Sequence, residues 1–74
     1  MKMTSIERWR ASADERRRFG GKTVTKFLAQ PTDNPKDWFE VIGYGPTPGE
    51  RKTMAREKAI TLWEVKQASH WGRK

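Results

Sequence analysis

The sequence predicts a small α+β domain in which two helices flank an antiparallel β-hairpin and pack on one face of it. Apolar residues recur at helical spacing near both ends of the chain, and two segments of alternating character lie between them, separated by turn residues. A chain of 74 residues suffices for one domain with a thin hydrophobic core. We therefore expect residues 1–74 to form a single domain, frayed in its first few residues and at residues 70–74.

A first helix is predicted over residues 5–18. Thr4 and Glu7 have the spacing of a capping box, and apolar residues that include Trp9 follow three and four residues apart. Gly20 is suited to the left-handed conformation that commonly ends a helix. Because the apolar stripe is narrow, we expect this helix to be stabilised by packing Trp9 into the core.

Two strands are predicted in the middle of the chain, in the segments KTVTKFLAQ and DWFEVIGY. Both are rich in β-branched and aromatic residues, and alternation separates Phe27 from Leu28 in the first strand and Val41 from Ile42 in the second. The intervening PTDNPKD consists of turn-forming residues. The simplest connection is an antiparallel hairpin with a loop of about seven residues.

The sequence leaves open a short third strand at residues 49–52. The last helix begins with Thr53 as its N-cap, or earlier near Pro48, and extends to about residue 69. On a helical wheel its main apolar stripe consists of Ala55, Ala59, Leu62 and Val65. This stripe predicts packing against the sheet, and we expect Trp63 at its margin to reach the core.

Charge points to a class of partner. Sixteen Lys and Arg residues against nine Asp and Glu residues leave a net charge of +7. A positive field of this strength attracts polyanions over a Debye length of roughly 10 Å, and nucleic acid is the natural polyanion. The alternative is a basic surface without a specific partner.

The densest basic run consists of Arg16, Arg17, Arg18, Lys22 and Lys26. Guanidinium groups suit phosphate oxygens because each can donate two parallel hydrogen bonds. Alternatively, the arginines only complement the dipole at the end of the first helix. One or two cations are enough to complement that dipole, so the dipole alone does not account for all the basic residues in this run.

A second basic cluster surrounds the start of the last helix and consists of Arg51, Lys52 and Arg56. Cations are unfavourable at a helix N-terminus unless an anion lies there, and a phosphate would supply that anion. The alternative is that Glu50 and Glu57 neutralise the cluster.

The segment KTMAREKAI, residues 52–60, resembles the start of the last helix in double-stranded RNA-binding domains. Lys52 and Arg56 match basic positions that meet phosphates, whereas Ala55 and Ala59 match positions that pack on the sheet. The resemblance implies a helix–sheet–helix fold that binds duplex RNA, although the lysine pair of that family is absent. A similar resemblance, to the arm-binding domains of phage-type integrases, implies DNA contact through a sheet face.

Aromatic residues among the basic ones are candidates for stacking on bases, namely Trp38, Tyr44 and Phe27. Trp38 lies at the start of a strand beside charged residues, so we expect it to be the most exposed. The alternative is that these rings serve the core, since a small domain needs most of its large side chains there.

Catalysis is not expected. The chain has no cysteine and a single histidine, His70, and its carboxylates lack the spacing of a metal site or an acid–base pair. GGKT at residues 20–23 lacks the first glycine and the preceding strand of a phosphate-binding loop. We expect no cofactor, no metal, no signal peptide and no membrane span, and a cytoplasmic location.

The sequence therefore predicts a small non-enzymatic protein that binds DNA or RNA mainly through phosphates, of the type that serves phages or other mobile elements as an accessory or regulatory protein. Its predicted contact residues are Arg16, Arg17, Arg18, Lys22, Lys26, Trp38, Arg51, Lys52 and Arg56. The alternative is an adaptor or inhibitor that binds a host protein through hydrophobic anchors at Trp38, Ile60 and Trp71 with a rim of arginines.

Overall fold

A computed structural model describes the backbone of residues 1–72 and the side chains of residues 1–68. It confirms the α+β class, with a three-stranded antiparallel sheet in the order β1-β2-β3 and a long helix packed on one face. The elements are β1 at Lys2–Ser5, α1 at Ala13–Arg18, β2 at Val24–Gln30, a 3-10 turn at Pro35–Asp37, β3 at Phe39–Tyr44 and α2 at Pro48–Gly72. The predicted hairpin and last helix are therefore present, whereas a strand precedes the first helix. The side chain of Trp71 and residues 73–74 of the predicted frayed end lie outside the described residues, whereas the backbone of residues 70–72 continues α2.

The first strand is formed by residues that we expected at the start of a helix. Thr4 pairs with Leu28 in the sheet instead of capping a helix. The capping box belongs to Ser12, whose hydroxyl accepts a hydrogen bond from the Glu15 N–H at 3.1 Å, while the Glu15 carboxylate accepts one from the Ser12 N–H at 3.2 Å. Two candidate boxes share the same spacing, and the later one forms because the residues of the earlier one complete the sheet. A short isolated helix cannot offset that loss of strand pairing.

The last helix takes the earlier of its two predicted starts. Pro48 is its first residue, and the Thr47 hydroxyl accepts a hydrogen bond from the Glu50 N–H at 3.2 Å. Proline is favoured there because the first N–H groups of a helix have no partner within it. The third strand that the sequence left open at residues 49–52 does not form, since these residues belong to the start of α2.

Alternation divides the side chains of each strand between two faces, and the packing of α2 decides which face is buried. Phe27 and Val41 are buried, whereas Leu28 and Ile42 on the other face are partly exposed. The core cluster consists of Met3, Phe27, Ala29, Val41, Ala55 and Ala59. Its helical members are both alanines, so α2 lies close to the strands.

The second half of α2 extends beyond this core. Leu62 and Val65 are 49% and 58% exposed, although the apolar stripe predicted that they would pack on the sheet. Trp9 and Trp63 were expected in the core, yet both are only partly buried and each carries a lysine amine over its ring. The α1 helix buries none of its residues, so of the two described helices α2 alone packs across the sheet face.

Gly43 in β3 sets the distance between the sheet and α2. A Cβ atom at this position would overlap the carbonyl oxygen of Arg51 and would lie 3.0 Å from the Cβ of Ala55. Only glycine therefore allows the first turns of α2 to lie against β3 at this separation.

We predict that Gly43→Ala lowers the free energy of unfolding by about 2–3 kcal/mol, because the new methyl group must displace helix backbone. Urea unfolding followed by circular dichroism measures the change. The matched control is Gly49→Ala in the first turn of α2, where a Cβ meets nothing within 4 Å. The control should be neutral or stabilising by up to about 1 kcal/mol, and equal effects of the two substitutions would contradict the close approach at Gly43.

Candidate nucleic-acid interface

The connection between β1 and β2, residues 6–23, is much longer than the usual hairpin loop of about two to five residues. It contains α1, which buries none of its residues. Long surface connections that contribute little to the core commonly carry function. We refer to residues 6–23 as the β1–β2 connection.

Aromatic rings hold both ends of this connection near the sheet. At its start, the Nζ of Lys26 in β2 lies 5.1 Å from the centroid of the Trp9 ring, and the Ile6 N–H donates to the Lys26 carbonyl at 2.9 Å. At its end, the Phe19 ring lies 5.1 Å from the Tyr44 ring in β3. The segment that bears α1 is therefore fixed at two points.

The end of α1 reverses the chain towards β2, as Gly20 predicted. Gly20 and Gly21 have φ angles of 66° and 76°, the left-handed region that favours glycine. The Gly21 N–H donates to the Arg16 carbonyl at 2.9 Å, which closes the last turn of the helix.

The three arginines of the predicted cluster are all exposed at this last turn. Arg17 forms an ion pair with Asp14 at 2.8 Å, with the two side chains 79% and 84% exposed. A pair this exposed stabilises the fold little, so Arg17 can exchange Asp14 for another anion at small cost. Among the ion pairs of the described side chains, neither Arg16 nor Arg18 takes part.

Lysines surround the aromatic anchors. The Nζ of Lys22 lies 5.1 Å from the Tyr44 ring centroid, and that of Lys58 lies 6.0 Å from the Phe19 ring centroid. Lys26 is less available, since its amine also lies 3.7 Å from the Glu40 carboxylate and its side chain is 23% exposed. Sequence reasoning missed Lys58, because only the packing of α2 across the sheet brings it to this end of the connection.

The second predicted cluster is divided by the structure. Arg51 is partly buried and donates from Nη1 to the Gly45 carbonyl at 2.9 Å, and its Nε is buried without a hydrogen-bond partner among the described residues. Its role is to fasten the turn between β3 and α2. Lys52 and Arg56 are exposed on the first turns of α2, and Lys52 lines a cavity together with Trp9 of the connection.

Trp38 is partly exposed, as is Tyr44, whereas Phe27 is buried. The indole N–H of Trp38 donates to the Thr32 carbonyl at 2.8 Å and so closes the loop between β2 and β3. Trp38 also lies next to Phe39, which pairs with Ala29, whereas the β1–β2 connection meets the sheet at Val24. Trp38 is therefore at the far end of the sheet from the arginines.

No family model matches this chain, and neither the curated proteins nor the solved structures contain a significant match to it. The resemblance to double-stranded RNA-binding domains thus rests on residues 52–60 alone, and strand β1 before α1 departs from the order that it implies. Over the described residues, no helix is both long enough and apolar enough to cross a bilayer.

We predict that Trp38→Phe lowers the free energy of unfolding by about 0.5–1.5 kcal/mol through loss of the indole hydrogen bond. Its affinity for nucleic acid should stay within twofold of the parent, because the ring lies far from the arginines. Thermal unfolding and fluorescence anisotropy measure the two quantities. Unchanged stability with weakened binding would instead make Trp38 a contact residue.

Proposed function

We propose that this protein binds nucleic acid through the phosphate backbone and that the β1–β2 connection is its main contact surface. The observation that carries the proposal is the exposure of three arginines on a segment that is anchored to the sheet but absent from its core. Residues 6–26 hold seven Lys and Arg residues against three Asp and Glu residues. A phosphate chain supplies the negative charge that this segment lacks.

The basic residues contribute in different ways. Arg16 and Arg18 donate directly to phosphates, and Arg17 joins them by exchanging its exposed carboxylate partner. Lys22 and Lys58 stand over aromatic rings that limit the positions of their amines, so less conformational entropy is lost when a phosphate binds.

Several of the predicted contact residues contribute less to phosphate binding. Lys26 contributes weakly because Glu40 already neutralises it, and Lys52 and Arg56 extend the positive surface along α2. Arg51 and Trp38 support the loops that shape the molecule. Phosphate contacts position a protein on the backbone and carry no base preference, so this surface serves DNA and RNA alike.

The proposed activity is binding without catalysis. A small basic binder of this kind suits an accessory or regulatory role for a phage or another mobile element, acting on nucleic acid in the cytoplasm. Its affinity should fall steeply as salt rises, because each phosphate contact releases counterions.

The second candidate function is a protein-binding adaptor or inhibitor, and the exposure of Leu62 and Val65 favours it. Of its predicted anchors, Trp38 is held by a hydrogen bond, Ile60 is partly buried, and the side chain of Trp71 lies outside the described residues. An apolar anchor surface would bind with little dependence on salt, which separates the two functions.

We predict that the double variant Arg16→Gln/Arg18→Gln weakens binding to nucleic acid and reduces the slope of log affinity against log salt by roughly 1.4–1.8, the value for two lost phosphate contacts. Fluorescence anisotropy with a labelled duplex and a labelled single strand, at several salt concentrations, gives the slope. The matched control is Lys36→Gln/Lys66→Gln, which removes the same charge from exposed positions outside the connection. Equal losses in the two variants would show that net charge alone governs binding.

We also predict that Asp14→Asn raises the affinity at low salt by roughly two- to fivefold, because it frees Arg17 from its ion pair. The control is Asp33→Asn, which removes the same charge from the loop at the far end of the sheet. The same anisotropy titration measures both. If the control raises affinity as much as Asp14→Asn, Arg17 has no individual role.

A further inference from the structure

A cavity lies beneath the first half of the β1–β2 connection. It exists because β1 is four residues long and β2 is seven, so that β1 pairs with β2 from Phe27 to Gln30 and leaves Val24 and Thr25 without a β1 partner. The start of the connection and the first turn of α2 border the uncovered strand, so that the cavity is a cleft about half open to solvent. The resulting space measures ≈ 530 Å³, within the range of about 300–1,000 Å³ found for small-molecule sites.

The lining of this cavity combines an apolar floor with basic groups. Ile6, Trp9, Val24 and Phe27 contribute apolar surface, and Arg10 and Lys52 contribute positive charge. Glu7 also lines the cavity, so the lining contains two basic residues and one acidic residue. Such a site fits a ligand with a flat apolar body and a negative group.

Arg10 is held in place at this cavity. Its Nη1 donates to the Glu7 carbonyl at 2.7 Å and to the Trp9 carbonyl at 3.0 Å. These bonds use one nitrogen of the guanidinium, so that Nε and Nη2 remain as donors for an anion. Lys52 is exposed on α2 and supplies a second cation.

We propose that the cavity receives one unpaired nucleotide, with its base on the apolar floor beside Trp9 and its phosphate at Arg10 and Lys52. This inference rests on the proposed function and specifies which nucleic acid the protein prefers. Bases in a duplex are stacked and paired, so their faces cannot enter a cavity, whereas those of an overhang or a single strand can. The cavity lining and the exposed arginines both belong to the β1–β2 connection, and we assign both to a single bound strand.

The test compares a blunt duplex with the same duplex carrying a short single-stranded overhang, in fluorescence anisotropy titrations at low salt. The measured quantity is the ratio of the two affinities. We expect the parent protein to prefer the overhang by at least about fivefold, the lower end for one stacked base. A ratio near one would overturn the cavity proposal while leaving the proposed function in place.

Two variants test whether the preference for the overhang arises at the cavity. Ala11→Trp fills the cavity from a position on its wall without removing a packed ring, and it should reduce the ratio to near one. Lys52→Gln should lower the ratio about threefold or more, because it removes a cation that serves the bound nucleotide. The control Lys36→Gln, which lies outside the cavity, should leave the ratio unchanged.

The outcomes separate the two proposals. Circular dichroism establishes that each variant is folded, and Lys52→Gln provides the test if Ala11→Trp does not fold. If the parent prefers overhangs and the folded variants keep that preference in full, the nucleotide binds elsewhere and the cavity proposal fails. If the parent binds neither probe at low salt, the proposed function fails together with the inference.

Discussion

The close approach of α2 to β3 is the constraint on which the rest of the structure depends. It requires glycine at position 43, where a side chain would meet the backbone of Arg51, and alanine at positions 55 and 59 of the helix. Small residues at these points bring the helix near enough to exclude water from Phe27 and Val41. The core is consequently thin, as expected for a chain of this size.

The helical side of the core is built on Ala55 and Ala59, so the narrow space between α2 and the sheet has little room for large rings other than Phe27. Trp9, Phe19 and Trp63 therefore lie at its margins, where each ring also meets a lysine amine. Two of them anchor the β1–β2 connection and so give a defined position to a segment that contributes little to the core. The fold thereby presents basic side chains on an exposed surface. Substitutions in α1 should change the free energy of unfolding little, because this helix has no buried residue.

Exposure and hydrogen bonding divide the predicted contact residues into two groups. Arg16, Arg17 and Arg18 are exposed, so they are free to meet an external anion. Arg51 and Trp38 donate to backbone carbonyls and serve loops instead. Residue type and the charge of neighbouring residues in the sequence do not distinguish the two groups. What distinguishes them is whether the fold places a backbone carbonyl within hydrogen-bond distance of the side chain.

Local pattern by itself determined the two central strands, the alternation of their side chains between two faces, the last helix and the basic character of residues 16–26, because these features depend on neighbours in the chain. Tertiary structure decided the rest. Both capping boxes satisfy the same local rule, and β1 forms at the first because its residues pair with β2. Likewise, Leu62 and Val65 continue the apolar stripe of Ala59 in sequence but extend past the sheet, and Lys58 reaches Phe19 only through the crossing of α2. The physical reason is that burial and long-range proximity depend on where distant segments meet, which a helical or strand period does not specify.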